Sequence, residues 1–244
     1  MKQDEYLFSA TRESAYSAAK RVVPHILRLF KSPPATAVDL GGGLGGWCRA
    51  FMDQGITKAV RIDHPSIRRQ DLQVSEDCFL PHDLDAGLEP VGRFDLAISI
   101  EFAEHVKPDR SEWVVDFLTR SADVVVFSAA IPRQGGLGHL NERWPWYWDA
   151  RFKARGFAMF DYLRPLLMPD LAIPYWLRQN LRVFVKAEQA GAVFTPGLRE
   201  CVANDFALVH ASIVERPFGL RESAELFCRA LKRALSSRSN RRKS

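Results

Sequence analysis

The 244-residue sequence predicts an α/β protein with a doubly wound, mostly parallel seven-stranded sheet and helices on both faces. Short apolar segments alternate with amphipathic ones, which is the pattern of parallel strands joined by crossover helices. A glycine-rich turn separates the first such strand from the first such helix, as in doubly wound sheets. Hydrophobic residues (47%) and charged residues (26%) occur in the proportions of a globular domain with a substantial core.

Hydrophobic periodicity places the individual elements. The predicted strands are 36–40, 58–63, 78–83, 94–100, 123–129, about 158–162 and 181–187. The predicted helices are 13–31 with a kink at Pro24, 46–54, parts of 64–75, 111–121, 146–155 and 220–235. No repeat or linker interrupts them, so we expect one domain over 1–235. It divides into a helical cap (1–35), a core (36–187) and a C-terminal extension (188–235).

The net charge of +5 lies mostly at the C-terminus. Four cationic residues in the last nine supply most of it: Arg238, Arg241, Arg242 and Lys243. We interpret 236–244 as a basic disordered tail, and the near-neutral remainder argues against a nucleic-acid partner.

Other sequence features favour a cytoplasmic protein. No segment has the length of uninterrupted apolar sequence that a membrane span needs. The N-terminus does not resemble a signal peptide, and four scattered cysteines form neither a disulfide framework nor a zinc motif. The cysteines are Cys48, Cys78, Cys201 and Cys228.

The turn VDLGGGLGGW at 38–47 is the strongest local signal for a ligand site. Glycines let the backbone turn sharply and approach a ligand closely. Asp39 precedes them, and no GK[ST] phosphate motif follows. A carboxylate there repels a pyrophosphate, whereas it suits the ammonium and sulfonium groups of S-adenosylmethionine. Asp63 is placed to accept ribose hydroxyls and Asp83 to meet the adenine amino group.

Residues 36–129 resemble the class I, Rossmann-like S-adenosylmethionine-dependent methyltransferases. VDLGGGLGGW resembles their first motif, RID the second, HDL the third and FDLAISIEFAEHV the fourth. The resemblance implies that S-adenosylmethionine is the cofactor. It implies cofactor contacts at Asp39, Gly41, Gly43, Asp63 and Asp83, and we add Trp47, Leu84 and Glu101 as further candidates.

A possible metal site follows the fourth strand. Glu101, Glu104 and His105 have i, i+3, i+4 spacing, so one helical turn would place them on one face. Carboxylates suit Mg²⁺, and the imidazole leaves Mn²⁺, Fe²⁺ or Zn²⁺ open. The pattern resembles ubiquinone-biosynthesis O-methyltransferases and small-RNA 3′-terminal 2′-O-methyltransferases, which implies His139 as another ligand. The alternative is that these side chains bind backbone groups or line the acceptor pocket without a metal.

Residues 128–149 are predicted to contact the acceptor, because polar groups lie beside aromatic rings there, as in sugar sites. The candidates are Asn141, Glu142 and Trp144, although the spacing of Trp144 and Trp148 favours core packing. Arg178 is either a further pocket group or a tie between added segments. HLNERWPWYW and YWLRQN resemble a bacterial methyltransferase subgroup linked to surface-polysaccharide or sugar modification.

The sequence therefore predicts an O-methyltransferase that acts on a sugar, a glycan or another small-molecule vicinal diol, with a divalent metal as an open possibility. The catalytic candidates are Glu104, His105 and His139, as metal ligands or as bases for the hydroxyl proton. One alternative is methylation of a terminal RNA ribose. Another is a partner subunit that binds the cofactor without catalysis.

Overall fold

The computed structural model describes the backbone of residues 2–193 and the side chains of residues 15–191. Within this range the chain forms one seven-stranded sheet. Its strands are β1 (Thr36–Leu40), β2 (Lys58–Asp63), β3 (Phe79–Pro81), β4 (Leu96–Ile100), β5 (Val124–Ser128), β6 (Phe157–Phe160) and β7 (Arg182–Lys186). The strand order is β3-β2-β1-β4-β5-β7-β6. The first five strands pair in parallel, and β7 runs antiparallel to β5 and β6. This confirms the predicted fold class.

Helices cover both faces of the sheet. They are α1 (Lys2–Leu27), α2 (Gly46–Asp53), α3 (Ser111–Ser121), α4 (Pro145–Lys153), α5 (Leu163–Leu167), α6 (Tyr175–Asn180) and α7 (Ala190–Val193). Buried residues of α1, α2, α5 and α6 form one apolar core with one side of the sheet. Residues of α3 and α4 form the second core on the other side. Burial of these two faces supplies the main favourable free energy of the fold.

Several predicted elements differ from the structure. Helix α1 begins well before residue 13 and ends at Leu27, with Pro24 inside it. The predicted helical parts of 64–75 reduce to one 3-10 turn, Arg69–Asp71, because this polar stretch has only Ile67 buried. Strand β3 stops at Pro81, which has no N–H to donate. Helices α5 and α6 were not predicted, since five or six residues are too few to show a helical period.

Some predictions fall outside the described residues. These are the helix 220–235, most of the extension 188–235 and the tail 236–244, together with Cys201 and Cys228. Cys48 and Cys78 lie within the described range and are free thiols. None of the helices in that range has both the length and the apolar character needed to cross a membrane.

The strand order creates a crevice at one end of the sheet. Because the order reverses between β1 and β4, their connections leave in opposite directions, and ligands bind in the gap of such folds. The two strands are tied there by a hydrogen bond from the Ser99 hydroxyl to the Leu40 carbonyl, 3.0 Å long. The glycine turn after β1 and the segment after β4 therefore face each other across this crevice.

Candidate functional site

The glycine turn takes conformations that side chains would oppose. Gly41 has φ of +77°, and a Cβ there would lie 2.1 Å from the Phe102 ring. Gly45, at φ of +90°, precedes α2. The left-handed backbone and the close approach of Phe102 explain the need for glycine at position 41. The contact also brings the segment after β4 against the predicted donor turn.

Asp39 is buried beneath this turn. The pKa of its carboxyl is raised to about 7, because burial, with a smaller contribution from Asp63, outweighs the lowering effect of the nearby Arg61 guanidinium. The Cys48 sulfur of α2 lies 4.0 Å from Oδ2 of Asp39. An ammonium group that reached this carboxylate would meet a poorly hydrated anion, and such contacts are strong.

Asp63 shapes the turn directly. Its Oδ2 accepts the Gly43 N–H at 2.6 Å and its Oδ1 accepts the His64 N–H at 2.6 Å. Burial raises the pKa of Asp63, and these two hydrogen bonds oppose that shift. A carboxylate has about four lone-pair sites, so it retains acceptor capacity for ribose hydroxyls.

Three other predicted cofactor contacts have different surroundings. Asp83 is exposed, and its Oδ1 accepts the Asp85 N–H at 3.0 Å in a turn beyond β3. Trp47 packs in the core beneath α1, and Leu84 packs in the core beneath α3. Their burial favours a packing role over the predicted contact with the cofactor.

Glu104, His105 and His139 form a compact group of potential metal ligands, with one donor atom from each residue within 4.8 Å of the others. Glu104 is fully buried, yet neither carboxylate oxygen receives a well-formed hydrogen bond from the described residues. Burial, followed by the nearby Glu101, raises the pKa of Glu104 well above its usual range. A buried carboxylate whose oxygens receive no well-formed hydrogen bond from the described residues fits a cation, so the residues suit a metal. Two imidazoles with one carboxylate favour Mn²⁺, Fe²⁺ or Zn²⁺ over Mg²⁺.

The loop between β5 and α4 places His139 in this group. The Glu104 carbonyl accepts the N–H groups of Leu140 and Asn141, which holds the loop against the turn after β4. The Glu142 carboxylate lies 2.9 Å from Nδ1 of His139, and this contact orients Nε2 towards Glu104, 4.0 Å away. A Cβ at Gly136 would lie 2.2 Å from Nε2. Glycine is therefore required where the imidazole crosses the loop backbone.

The ionisation of this group is also set by its contacts. Burial would raise the pKa of Glu142, but the contact with His139 and two backbone N–H donors outweigh it and lower the pKa. Partial burial, together with His139, lowers the pKa of His105. The two rings meet edge to face, with centroids 4.9 Å apart. Neutral imidazoles can bind a metal or accept a proton.

Glu101 lies outside this group, which contradicts the single helical turn predicted for it. Glu101 directly follows β4 and has φ of +51°, so it is not part of a helical turn. Its Oε1 accepts the Asn180 amide at 3.1 Å and its Oε2 accepts the Gln134 amide at 2.9 Å. Glu101 therefore joins the loop after β5 to the end of α6, which favours a structural tie over the predicted metal-ligand role.

The predicted acceptor residues are mostly engaged within the protein. Asn141 is buried and donates to the Ser111 hydroxyl, while Glu142 holds His139. Arg178 is buried and donates to the carbonyls of Ile173 and Met168, which favours the tie over the pocket role. Trp144 is 38% exposed, so its predicted core packing is wrong, whereas Trp148 is buried as expected. Trp144 remains available to a ligand.

Comparison with known proteins agrees with this geometry. A family model described as a methyltransferase domain matches residues 13–163, more than half of the chain. The chain belongs to this methyltransferase family. The methyltransferase assignment made from the sequence is thereby confirmed. No curated protein sequence matches the chain.

Solved structures share the fold of this methyltransferase at low sequence identity. LaPhzM is 16% identical with a TM-score of 0.53, and the match covers 75% of this chain and 58% of that one. The mitomycin 7-O-methyltransferase MmcR is 15% identical with a TM-score of 0.51, covering 75% and 56%. DesVI of Streptomyces venezuelae is 12% identical with a TM-score of 0.53, covering 76% and 98%. The chain thus spans less than two thirds of the first two proteins.

Sequence analysis missed three residues that build the candidate site. They are Arg61, Gln134 and Gly136. Arg61 carried a signal, because a charged residue inside a buried parallel strand is unusual. Gln134 carried none, since it meets Glu101 only through the tertiary fold.

Proposed function

We propose that the protein is an S-adenosylmethionine-dependent O-methyltransferase that uses a metal held by Glu104, His105 and His139. The observation that carries the proposal is the buried Glu104 carboxylate, without well-formed hydrogen bonds, beside two imidazoles. The group follows Phe102, whose ring packs against Gly41 of the donor turn. Donor and acceptor sites would therefore adjoin, as methyl transfer requires.

The donor would lie along the ends of β1 and β2. The Asp39 carboxylate is the anionic group for the ammonium of the donor, and the Asp63 carboxylate is the acceptor for its ribose hydroxyls. Gly43 has nothing within 4 Å of the position of a Cβ, so it leaves room for a ligand to approach the backbone of the turn closely. These side chains bind and orient the donor without taking part in bond changes.

In the reaction, a bond forms between the acceptor oxygen and the methyl carbon while the bond from that carbon to sulfur breaks. The hydroxyl loses its proton, and S-adenosylhomocysteine leaves. A bound metal would lower the pKa of the hydroxyl as a Lewis acid. Glu142 fixes the orientation of His139 for this role, in the way that carboxylates orient metal-binding histidines. Without a metal, the imidazoles of His105 and His139 are the available bases.

We propose a sugar, a glycan or another vicinal diol as the acceptor. A metal can gather two adjacent oxygens, which favours a diol over a single hydroxyl. The exposed rings of Trp144 and Trp146, just after the loop that carries His139, could pack on the C–H face of a sugar. The mitomycin 7-O-methyltransferase, a structural neighbour, is named for methyl transfer to oxygen, which is consistent with an O-methyltransferase.

Metal analysis and activity measurements test this function. We expect purified protein to bind a divalent metal, to lose turnover on exhaustive chelation and to regain it on metal addition. His139→Ala and Glu104→Ala should lose turnover while keeping affinity for S-adenosylhomocysteine. Glu89→Ala, which removes an exposed carboxylate paired with Arg120, is the matched control and should behave as wild type. Full turnover after chelation, or in both site variants, would refute the metal and residue assignments.

The acceptor class needs a separate measurement. Sugars with adjacent hydroxyls, the corresponding deoxy sugars and an RNA with a terminal ribose would be offered with the donor. Mass spectrometry would detect the added methyl group. We expect methylation of the sugars with adjacent hydroxyls alone, and transfer to the terminal ribose of the RNA would support the alternative acceptor.

A further inference from the structure

Arg61 is a fully buried arginine beneath the donor turn that the function above does not use. It lies on β2, and in the sheet register it stands directly beside Asp39 of β1. Its guanidinium carbon lies 4.0 Å from the centre of the Phe79 ring. A Cβ at Gly45 would be 3.2 Å from its Cδ, so the side chain runs under the glycine turn.

The guanidinium group has no hydrogen-bond partner among the described residues. Taking an arginine out of water carries a large desolvation cost unless nearby charges offset it. The groups that offset it are carboxylates, because Asp63 and Asp39 are the strongest attractive influences on Arg61. Both stand on the same face of the sheet as Arg61, since side chains alternate along a strand and partners in register share a face.

The surroundings of Asp39 contain few other charges. Asp63 faces it from β2 as a second anion, and the Cys48 thiol faces it from α2. Burial and Asp39 raise the pKa of Cys48 well above its usual value, so this thiol is neutral. Cys78 acts on Cys48 in turn, and burial raises the pKa of the Cys78 thiol as well. Among the described residues, Arg61 is therefore the cation that acts on Asp39.

We propose that Arg61 is a positioning residue for the methyl donor, whose fixed charge keeps Asp39 ionised so that Asp39 can bind the donor's ammonium group near neutral pH. An arginine suits this role because it stays protonated even when buried. It acts on the carboxylate through space, so the oxygens of Asp39 stay available to a ligand. The inference rests on the proposed donor site.

The test is the pH dependence of ligand affinity, measured by titration calorimetry between about pH 6 and about pH 9. The probe is S-adenosylhomocysteine, which carries the same ammonium group as the donor, and chelator is present throughout. In wild type, affinity should rise with pH through a step near 7 as Asp39 ionises. The ligand's own amino group titrates in every variant, so Asp39→Asn, which lacks the step, defines the background.

Arg61→Met keeps an unbranched side chain and removes the charge. We expect its affinity step to move to higher pH by about one unit, which corresponds to about tenfold in the ionisation equilibrium of Asp39. Arg61→Lys keeps the charge and should retain the wild-type step. A purely structural role would lower thermal stability without moving the step, so the same step in Arg61→Met and wild type would overturn the proposal.

Arg61→Gln is a second neutral variant in case Arg61→Met does not fold. If neither neutral variant folds while Arg61→Lys does, the charge serves folding and the proposal is overturned. A wild-type profile identical to that of Asp39→Asn would overturn it as well. Failure of wild type to bind either S-adenosylhomocysteine or S-adenosylmethionine would instead refute the proposed function. If the ligand binds but the affinity step lies at the same pH in Arg61→Met and in wild type, only the role of Arg61 is refuted and the proposed function stands.

Discussion

Replacement of Glu104 by glutamine is expected to stabilise the metal-free protein. Burial and the Glu101 carboxylate raise the pKa of Glu104 well above its usual range, so the folded state favours the protonated, neutral carboxyl. In the unfolded chain its pKa is about 4.3, and the carboxyl is ionised at neutral pH. Folding at pH 7 therefore requires proton uptake, and glutamine removes this requirement.

The size of the effect follows from the pH interval. Each unit between a pKa of about 4.3 and pH 7 costs about 1.4 kcal/mol, which sets an upper limit of about 3.7 kcal/mol. The glutamine amide is a buried polar group without hydrogen bonds, and this destabilises the variant by about 1 kcal/mol. We therefore expect a net gain of about 1 to 3 kcal/mol. In a chain of this length that raises Tm by about 3 to 10 °C.

Thermal denaturation in excess chelator measures this difference. At Glu104 the folded state retains a proton that the unfolded state loses above about pH 4.3. The advantage of the glutamine variant should therefore shrink as pH falls and be lost near about pH 4. Added Mn²⁺ should raise the Tm of wild type and leave the glutamine variant unchanged, since ligand binding stabilises only a state that binds it.

Glu142→Gln is the matched control, because this carboxylate is satisfied by His139 and two backbone N–H groups. Its pKa is lowered, so the ionised group stabilises the fold above the unfolded pKa. Its replacement should cost about 1 to 3 kcal/mol at pH 7. If Glu104→Gln loses as much stability as Glu142→Gln, the Glu104 carboxyl must be stabilised by its surroundings, and the reasoning above is refuted.

Two glycine substitutions give further predictions. Gly41→Ala would place a Cβ 2.1 Å from the Phe102 ring at φ of +77°, and we expect at least about a tenfold loss of affinity for S-adenosylhomocysteine by calorimetry. Gly55→Ala, also at positive φ but with open space around its Cβ, is the control, and equal affinities in the two variants would contradict the packing argument. Gly136→Ala would displace the His139 ring, so metal content and turnover should fall while S-adenosylhomocysteine affinity stays at the wild-type value. Retained metal and turnover in this variant would show that the loop can adjust.

The donor half of the site could be predicted from sequence because its signals are local. Asp39, the glycines that follow it and Asp63 are read from a strand, a turn and a strand end that are close in the chain. Glu104 and His105 are also neighbours in the chain, so the sequence could indicate that they lie together. Glu101 does not join their group of donor atoms, because its positive φ replaces the helical turn that the spacing assumed.

Sequence patterns alone determined the α/β class, the strands and the glycine turn, since strand and helix periods record which side chains face the core. Tertiary structure alone decided that Glu101 is tied by Gln134 and Asn180 and that Arg61 lies under the turn. It also brings His139 to Glu104, which the resemblance had implied. Residues 79 positions apart along the chain, such as Glu101 and Asn180, meet only when the sheet brings strand ends together. No local period encodes that meeting, because it depends on how β4, β5 and β7 are ordered in the sheet.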